Sequence, residues 1–546
     1  VVSVVWRFGH SIRLVAPSPG RVLFLLLVVL FLGRLGHREL YASHEARAAQ
    51  NAQRMLDTGG WGRPVLFDGQ ADLQKPPGYY WLVAAAGWAN GGRVDAFAAR
   101  LPAAVAGLLT VALVWGFLRR EGRPVAAWVA AVGLATAVHF TAVSRTARID
   151  VPLTCAVTAA LLAFYRGVAG RPLPPAPSPA GGGGGSPEPA TGALDAGVRT
   201  DRTLSPPPPA GEGAGGRGLG FFLLSAAAAA AGVMLKGPVA LALIGPAAVA
   251  WLVVAPRPAD RRWRLPPSAA ALGVLVLAAL ALPWFVWANH ATGGEFARTF
   301  FWHHNVARFA GTSAALASHP WWYYGPRLAA AFLPWTPAAV ALAVWAARSG
   351  LWRRDPLVRF GAVWAGAMFA VLSAAQFKRA DYLLPLFPGL AVVFGCAAEA
   401  WLAAVPNPRT ARRATWAFGA VVALVVVGWG VMTFAVEPRE QRKEEKRAFA
   451  ELIRSHAPPP AEVMLFRAES HLLAWHLGRP LVTRVEWHDL NDWLATPGPH
   501  LVVMPPEYVY PAQQIVRSRR LEVVARLEDL TPDKPARPLV LVRTAD

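Results

Sequence analysis

Six charged side chains in this chain resist explanation as packing: the acids Glu45 and Asp150, and the cations Lys75, Lys236, Lys378 and Arg379. Each lies in a short polar stretch next to a long apolar run: "SHEARAAQNAQRML", "RIDVPLT", "LQKPPGYYW", "MLKGP" and "QFKRADYLLPLFP". Charge on a departing phosphate is stabilised by cations placed around it, with Lys supplying a point charge and Arg a forked set of donors. An acid on an apolar face can have its pKa raised from about 4.3 toward the working pH and serve as a base. Together these groups are the inventory for handling a lipid-linked phosphate or pyrophosphate at a membrane boundary.

The elements that must position them can be read from local patterns. Over 43–56 a helical wheel gathers Ala48, Ala49, Ala52, Met55 and Leu56 in one stripe, with Glu45 in its middle. Ser43 is expected to cap this helix and Gly59-Gly60 to end it, and the stripe to lie against the membrane surface. In "LQKPPGYYW" each residue before a proline is driven extended, so Lys75 is presented rigidly, and Tyr79, Tyr80 and Trp81 suit the headgroup level. Asp150 enters the next apolar run as an acid, a costly position without a role. Lys236, Lys378 and Arg379 fall on the side where the positive-inside trend disfavours cations. The segment 289–324 carries "FFWHHNVARF" and "HPWWYY"; His304 and Arg308 from it, with Tyr80, are the candidate cleft residues for an acceptor. His303 and His304 are adjacent and cannot share a helical face, so no metal site is expected from that pair.

The 546 residues are 54% hydrophobic and 16% charged, with a mean hydropathy of +0.34. A hydrocarbon core about 30 Å thick needs roughly 20 apolar helical residues. Such runs recur from residue 22 to 435, about eleven in all, so the expected fold is a mainly α polytopic membrane bundle. The first run is read as an uncleaved span rather than a signal peptide. Arginines cluster at every second connection (119–123, 166–171, 257–264, 348–354, 409–413), which predicts these loops and the N-terminus to be cytoplasmic. Much of the net charge of +21 is then topological. It makes no continuous stripe, so anionic lipid headgroups are the expected partner and nucleic acid is not. Cys155 and Cys396 lie in apolar runs and are expected to be packing residues.

Two composition breaks divide the chain. Residues 167–219 are rich in Pro and Gly, cannot bury a core, and predict a disordered cytoplasmic insert within a membrane domain spanning 1–436. Residues 437–546 alternate a charged helix, "QRKEEKRAFAELIRSH", with the short strands "EVMLF", "HLVVMPP", "LEVVARL" and "PLVLVRT". That is a small α/β domain, outside the cytoplasm if the span count is odd. His471 and His476 within it are expected to be ordinary structural histidines.

The segment from "HEARAAQNAQRML" through "LQKPPGYYW" to "RLPAA", followed by "RIDVPLT", "LKGPVAL", "HHNVARF", "PWWYY" and "KRADYLLPLFPGLAV", resembles the bacterial membrane glycosyltransferases of the aminoarabinose transferase and protein O-mannosyltransferase superfamily. The resemblance runs from about residue 22 to 403, apart from the insert. It implies a GT-C fold in the cytoplasmic membrane, with its active site on the outer face. It further implies inverting transfer of a sugar from a polyprenyl-phosphate donor to a lipid, glycan or protein acceptor. Carried over residue by residue, it assigns Glu45 and Asp150 to frame the reaction and Lys75, Lys378, Arg379 and Tyr382 to approach the donor phosphate. Lys236 joins these as a further phosphate-binding candidate.

The chain departs from the pattern where many relatives have Asp-Glu, since His44 precedes Glu45, and where many have an acid before Lys-Pro-Pro, since Gln74 stands there. Two hard oxygen ligands are thereby missing, which weakens any divalent-metal site and leaves the cofactor unassigned. With an unperturbed pKa of about 6.5, His44 is expected to act with Glu45 as the base. Two other classes stay open from sequence: a transporter or flippase for a lipid-linked sugar, which predicts ionisable groups near the midplane, and a non-catalytic transferase-like binding protein.

Overall fold

The computed structural model of the chain describes residues 19–67, 69–169, 213–255, 266–311, 319–441, 445–458, 462–468, 470–479, 481–498, 500–516, 519–528 and 538–545. All eleven expected apolar runs are helical. The first ten helices are α1 (Pro19–Leu32), α2 (Ser43–Thr58), α3 (Gly78–Ala89), α4 (Ala96–Arg120), α5 (Pro124–Ala135), α6 (Val138–Ser144), α7 (Asp150–Ala169), α8 (Gly213–Lys236), α9 (Val239–Val254) and α10 (Pro267–Ala291). Tyr324–Ala331, Thr336–Arg348, Pro356–Ala374, Phe387–Ala404 and Pro408–Val431 follow. Among the described residues seven helices are long and apolar enough to cross a bilayer alone, and two bent pairs raise the number to nine. The other two expected spans, α1 and α9, have 14 and 16 residues, short of the roughly 20 a straight crossing needs. The expected insert falls outside the described residues except for its ends, which extend α7 to Ala169 and open α8 at Gly213.

The bends have a shared cause. α5 and α6 meet at 63°, and helices Trp321–Ala331 and Thr336–Arg348 meet at 110°. At each break, backbone groups lose their partners within the helix and must find others. The Val138 N–H donates to the Leu333 carbonyl at 2.9 Å, and the Trp335 indole N–H donates to Thr136 Oγ1 at 2.9 Å. Each break thus satisfies the other. Outward-facing Leu424, Val427, Val274 and Leu275 are all more than half exposed, the apolar surface a lipid-facing bundle presents.

α2 departs from expectation. Its apolar stripe is buried in protein, with Ala48, Ala49, Ala52 and Met55 packed among Tyr79, Tyr80, Val83 and Ala98. Gln50 and Asn51, outside that stripe, are buried as well. The helix period identified an apolar face but could not say whether lipid or protein would cover it. Ser43 makes no capping bond, since the capping position is Ala42, whereas Gly59 adopts the left-handed conformation that ends the helix. Tyr79 and Tyr80 are likewise interior rather than interfacial.

Toward the C-terminus a five-stranded sheet has the order β2-β1-β3-β5-β4, with β1 Val463–Phe466, β2 Val482–Arg484, β3 Leu501–Met504, β4 Arg520–Leu527 and β5 Leu539–Ala545. β1 pairs in parallel with both β2 and β3, while β5 is antiparallel to β3 and β4. The three-residue β2 is too short for periodicity to reveal. β1 and β3 are buried throughout because helix Glu445–His456 covers one face and helix Trp487–Ala495 the other. The sheet module docks on α2: Gln50 Nε2 donates to the His471 carbonyl at 2.7 Å, and Phe67 stacks on Trp475. Cys155 and Cys396 are unbridged, and Cys396 is fully buried.

Candidate active site

The Lys-Pro-Pro turn is held from behind by Asp72. Both oxygens of this buried acid accept from Arg47, Nε at 2.7 Å and Nη2 at 2.8 Å, and Asn51 Nδ2, the Tyr80 hydroxyl and the Gln74 N–H add further bonds. Burial pushes the Asp72 carboxyl up, but Arg47 and these donors outweigh it and hold the group below the usual carboxylate range. Gln74 takes part through Oε1, which accepts from Arg47 Nη1 at 2.7 Å. Directly after the turn, Gly78 opens α3 against the end of α8. A Cβ at this position would come within 2.5 Å of the Met234 carbonyl oxygen. Because backbone cannot yield as a side chain does, Gly78→Ala is expected to destabilise the protein by about 1–3 kcal/mol. An unfolding midpoint in detergent equal to that of the parent would refute this.

That close approach brings Lys75 to the cleft where α7 begins and α8 ends. Asp150 is the first residue of α7 and Lys236 the last of α8, and the two helices pack along their length. Lys236 Nζ donates to Asp150 Oδ1 at 2.5 Å, both side chains are less than a tenth exposed, and the Tyr382 ring lies 4.1 Å from the ammonium. The second oxygen of Asp150 has no partner among the described residues. The cleft holds a cavity of about 130 Å³. Lys75, Asp150, Lys236, His304, Tyr324 and Tyr382 form its polar part, while Leu153, Val239, Leu243, Phe309 and Leu372 supply apolar walls from α7, α9 and helix Pro356–Ala374.

Beside Tyr382, Asp381 gathers two arginines from separate loops and a histidine from α6. It accepts from Arg148 Nη1, and His139 Nε2 lies at 3.5 Å and Arg379 Nη2 at 3.6 Å. The same Arg379 nitrogen is 3.2 Å from His44 Nε2. Asp381 stands inside "KRADY", so its signal was an acid among the motif's cations.

Other predicted residues turn away from the cleft. Glu45 is fully buried: Arg100 Nε and Nη2 reach its two oxygens at 2.8 and 3.0 Å, and the N–H groups of Ala147 and Tyr41 complete its shell. Burial raises its pKa, but Arg100 and the two N–H donors win, so the carboxyl is held below its ordinary 4.5. This corrects the expectation of a raised value, because a buried acid with a bidentate cation is stabilised in its charged form. Lys378 Nζ donates to the carbonyls of His319 and Ala375, joining the end of a helix to the preceding loop. Tyr80 is committed to Asp72. The Arg308 side chain lies outside the described residues. Sequence reasoning missed Asp72, Arg100 and Asp381, each defined by a partner far along the chain.

No three His, Cys, Asp or Glu side chains among the described residues are arranged to hold a metal ion, and no step is derived through one.

Comparison with known proteins bears on this geometry. Residues 74–173, which contain Lys75 and Asp150, match the family described as dolichyl-phosphate-mannose-protein mannosyltransferase. Over 380 residues the chain is 30% identical to the undecaprenyl phosphate-alpha-4-amino-4-deoxy-L-arabinose arabinosyl transferase of Pseudomonas paraeruginosa, covering 68% of this chain and 58% of the relative. The transferase of the same description from Edwardsiella ictaluri is 29% identical over 378 residues, with the same coverages of 68% and 58%. The chain therefore spans less than two thirds of the length of these curated relatives. The crystal structure of ArnT from Cupriavidus metallidurans bound to undecaprenyl phosphate shares the fold, with a TM-score of 0.72 at 20% identity over 97% of this chain and 98% of that one.

Proposed function

We propose that this chain is a GT-C membrane glycosyltransferase that transfers a hexose or pentose from a polyprenyl-phosphate donor to a lipid, glycan or protein acceptor, with inversion, at the outer face of the cytoplasmic membrane. The observation that carries this reading is the buried Asp150–Lys236 pair under Tyr382, at the polar end of a cleft whose remaining walls are apolar. A lipid phosphate has the same division, with charge at one end and hydrocarbon beyond it.

In this reading the donor phosphate lies against Lys75 and Lys236, with Arg379 near, and the prenyl chain runs along α9 and helix Pro356–Ala374. The acceptor hydroxyl attacks the anomeric carbon from the face opposite the phosphate. The carbon–oxygen bond to phosphate breaks, its electron pair leaves with the phosphate, and the surrounding cations stabilise that charge. The unpartnered oxygen of Asp150 takes the acceptor proton. Glu45 and Lys378 act as positioning residues, and His44 orients Arg379.

Orientation follows the positive-inside argument. The arginines at 119–123, 348–354 and 409–413 mark the cytoplasmic end, so the N-terminus is inside and the cleft and the module of residues 437–546 are outside. The test is transfer in vitro from defined polyprenyl-phosphate sugars, with membrane extract as acceptor and mass identification of the product. The expected result is a glycosylated product formed one-for-one with released polyprenyl phosphate. Absence of both for every donor would overturn the proposal.

A further inference from the structure

A second cavity, of about 540 Å³, opens between the segment of α2 and residues 66–70 and the carboxyl ends of β1 and β2. Gln50 and Gln70 face it from the membrane module, and Arg467, Thr483, Glu486 and Tyr508 from the sheet module. The residues that follow β1 and β2, with Tyr508 from beyond β3, line it on the carboxyl side of the parallel strands, the side on which open sheets of this kind bind ligands.

Arg467, the first residue after β1, makes this crevice more than a gap. Its backbone is left-handed, with φ of +52°, a conformation that strains a non-glycine residue. The strain is held by two bonds to the end of β2: the Arg467 N–H donates to the Arg484 carbonyl at 2.8 Å, and Nε donates to the Val485 carbonyl at 2.7 Å. The guanidinium carbon lies 4.7 Å from the Trp487 ring centre and 5.3 Å from that of Tyr508. The two terminal nitrogens have no acceptor among the described residues. A fork is thus fixed by its stem and flanked by aromatic rings, with its outer donors unused in a polar cavity. Two parallel N–H donors match the geometry of a carboxylate or phosphate.

We propose that this cavity recognises an oxyanion, phosphate or carboxylate, carried on a hydroxyl-rich part of the acceptor, with Thr483 meeting a neighbouring hydroxyl. The assignment to the acceptor rests on the transfer reading above. Gln50, which faces this cavity, lies six residues beyond His44 on α2, about 9 Å along the axis at 1.5 Å per residue, and His44 in turn lies against Arg379.

Equilibrium binding of glucose 1-phosphate, glucuronate and glucose to the full chain in detergent tests the site without any transfer reaction. Arg467→Gln is expected to weaken binding of at least one anionic probe at least fivefold. Glu486→Gln, which removes a negative charge from the same cavity, is expected to tighten that probe's binding at least twofold, a change a folding defect cannot produce. Glucose should be indifferent to both substitutions. Binding in the Lys75 cleft adds a component common to all variants, so dependence on Arg467 identifies this cavity. Equal anion binding in the parent and both variants would overturn the site even if transfer is confirmed, and a site confirmed without transfer would leave it standing apart from the donor reading. Where transfer is observed, Arg467→Gln should raise the acceptor KM with kcat unchanged; a loss confined to kcat would overturn the assignment to the acceptor.

Discussion

Asp150→Asn is expected to lower the transfer rate by about 10²–10⁴-fold, the usual contribution of a positioned general base. The isosteric amide keeps an oxygen for the Lys236 ammonium, which donates to Asp150 Oδ1 at 2.5 Å, so the ends of α7 and α8 stay joined. What it removes is the basic second oxygen, the atom proposed to take the acceptor proton. It also removes a negative charge beside the proposed phosphate site, so a polyprenyl phosphate is expected to bind as tightly as to the parent or more tightly. That opposite sign separates loss of chemistry from loss of structure. Transfer within about threefold of the parent would rule Asp150 out as the base.

Glu45→Gln should act on stability first, lowering it by about 3–5 kcal/mol, the cost of leaving one partner of a buried ion pair uncompensated. Arg100 spends all of its donors here: Nε and Nη2 on Glu45, and Nη1 and Nη2 on the carbonyls of Leu35, Arg38 and Glu39. It thereby ties the connection after α1 to both α2 and α4. Arg100→Lys should fail almost as badly, since an ammonium has three donors and no fork. The effect is pH-dependent with a definite sign. Because the native Glu45 carboxyl titrates below its ordinary 4.5, the stability it contributes is fully present above that pH and is lost as pH falls through the native value. The difference in unfolding midpoint between the parent and Glu45→Gln should be constant near neutrality and shrink in acid. A variant as stable as the parent at pH 7 would refute the assignment, and a constant gap down to pH 3 would refute its electrostatic origin.

Much of this architecture is legible in the chain because its causes are local. Burial of hydrocarbon requires long apolar runs, and each expected run is a helix. Lys75 before two prolines, Asp150 at the mouth of an apolar run and Lys236 at the end of another depend on neighbours a few residues away, and all three line one cleft. The strands β1, β3, β4 and β5 were visible as short apolar or alternating runs, whereas β2, three residues long, was not.

What the sequence alone could not determine is which charge meets which. Glu45 and Arg100 are 55 positions apart, Asp150 and Lys236 are 86 apart, and Arg148 and Asp381 are 233 apart. Spacing within a helix says nothing about such pairs, because they form only when packing has brought separate elements together. The same limit explains Glu45 itself. An acid on an apolar stripe announces a buried acid, and burial alone would raise its pKa and make it a base. The tertiary structure places Arg100 against it, so the group stays charged and holds α2 in place, while the unpartnered carboxylate oxygen belongs to Asp150. Sequence determined which residues are costly to bury, and the three-dimensional pairing decided which of them is left with chemistry to do.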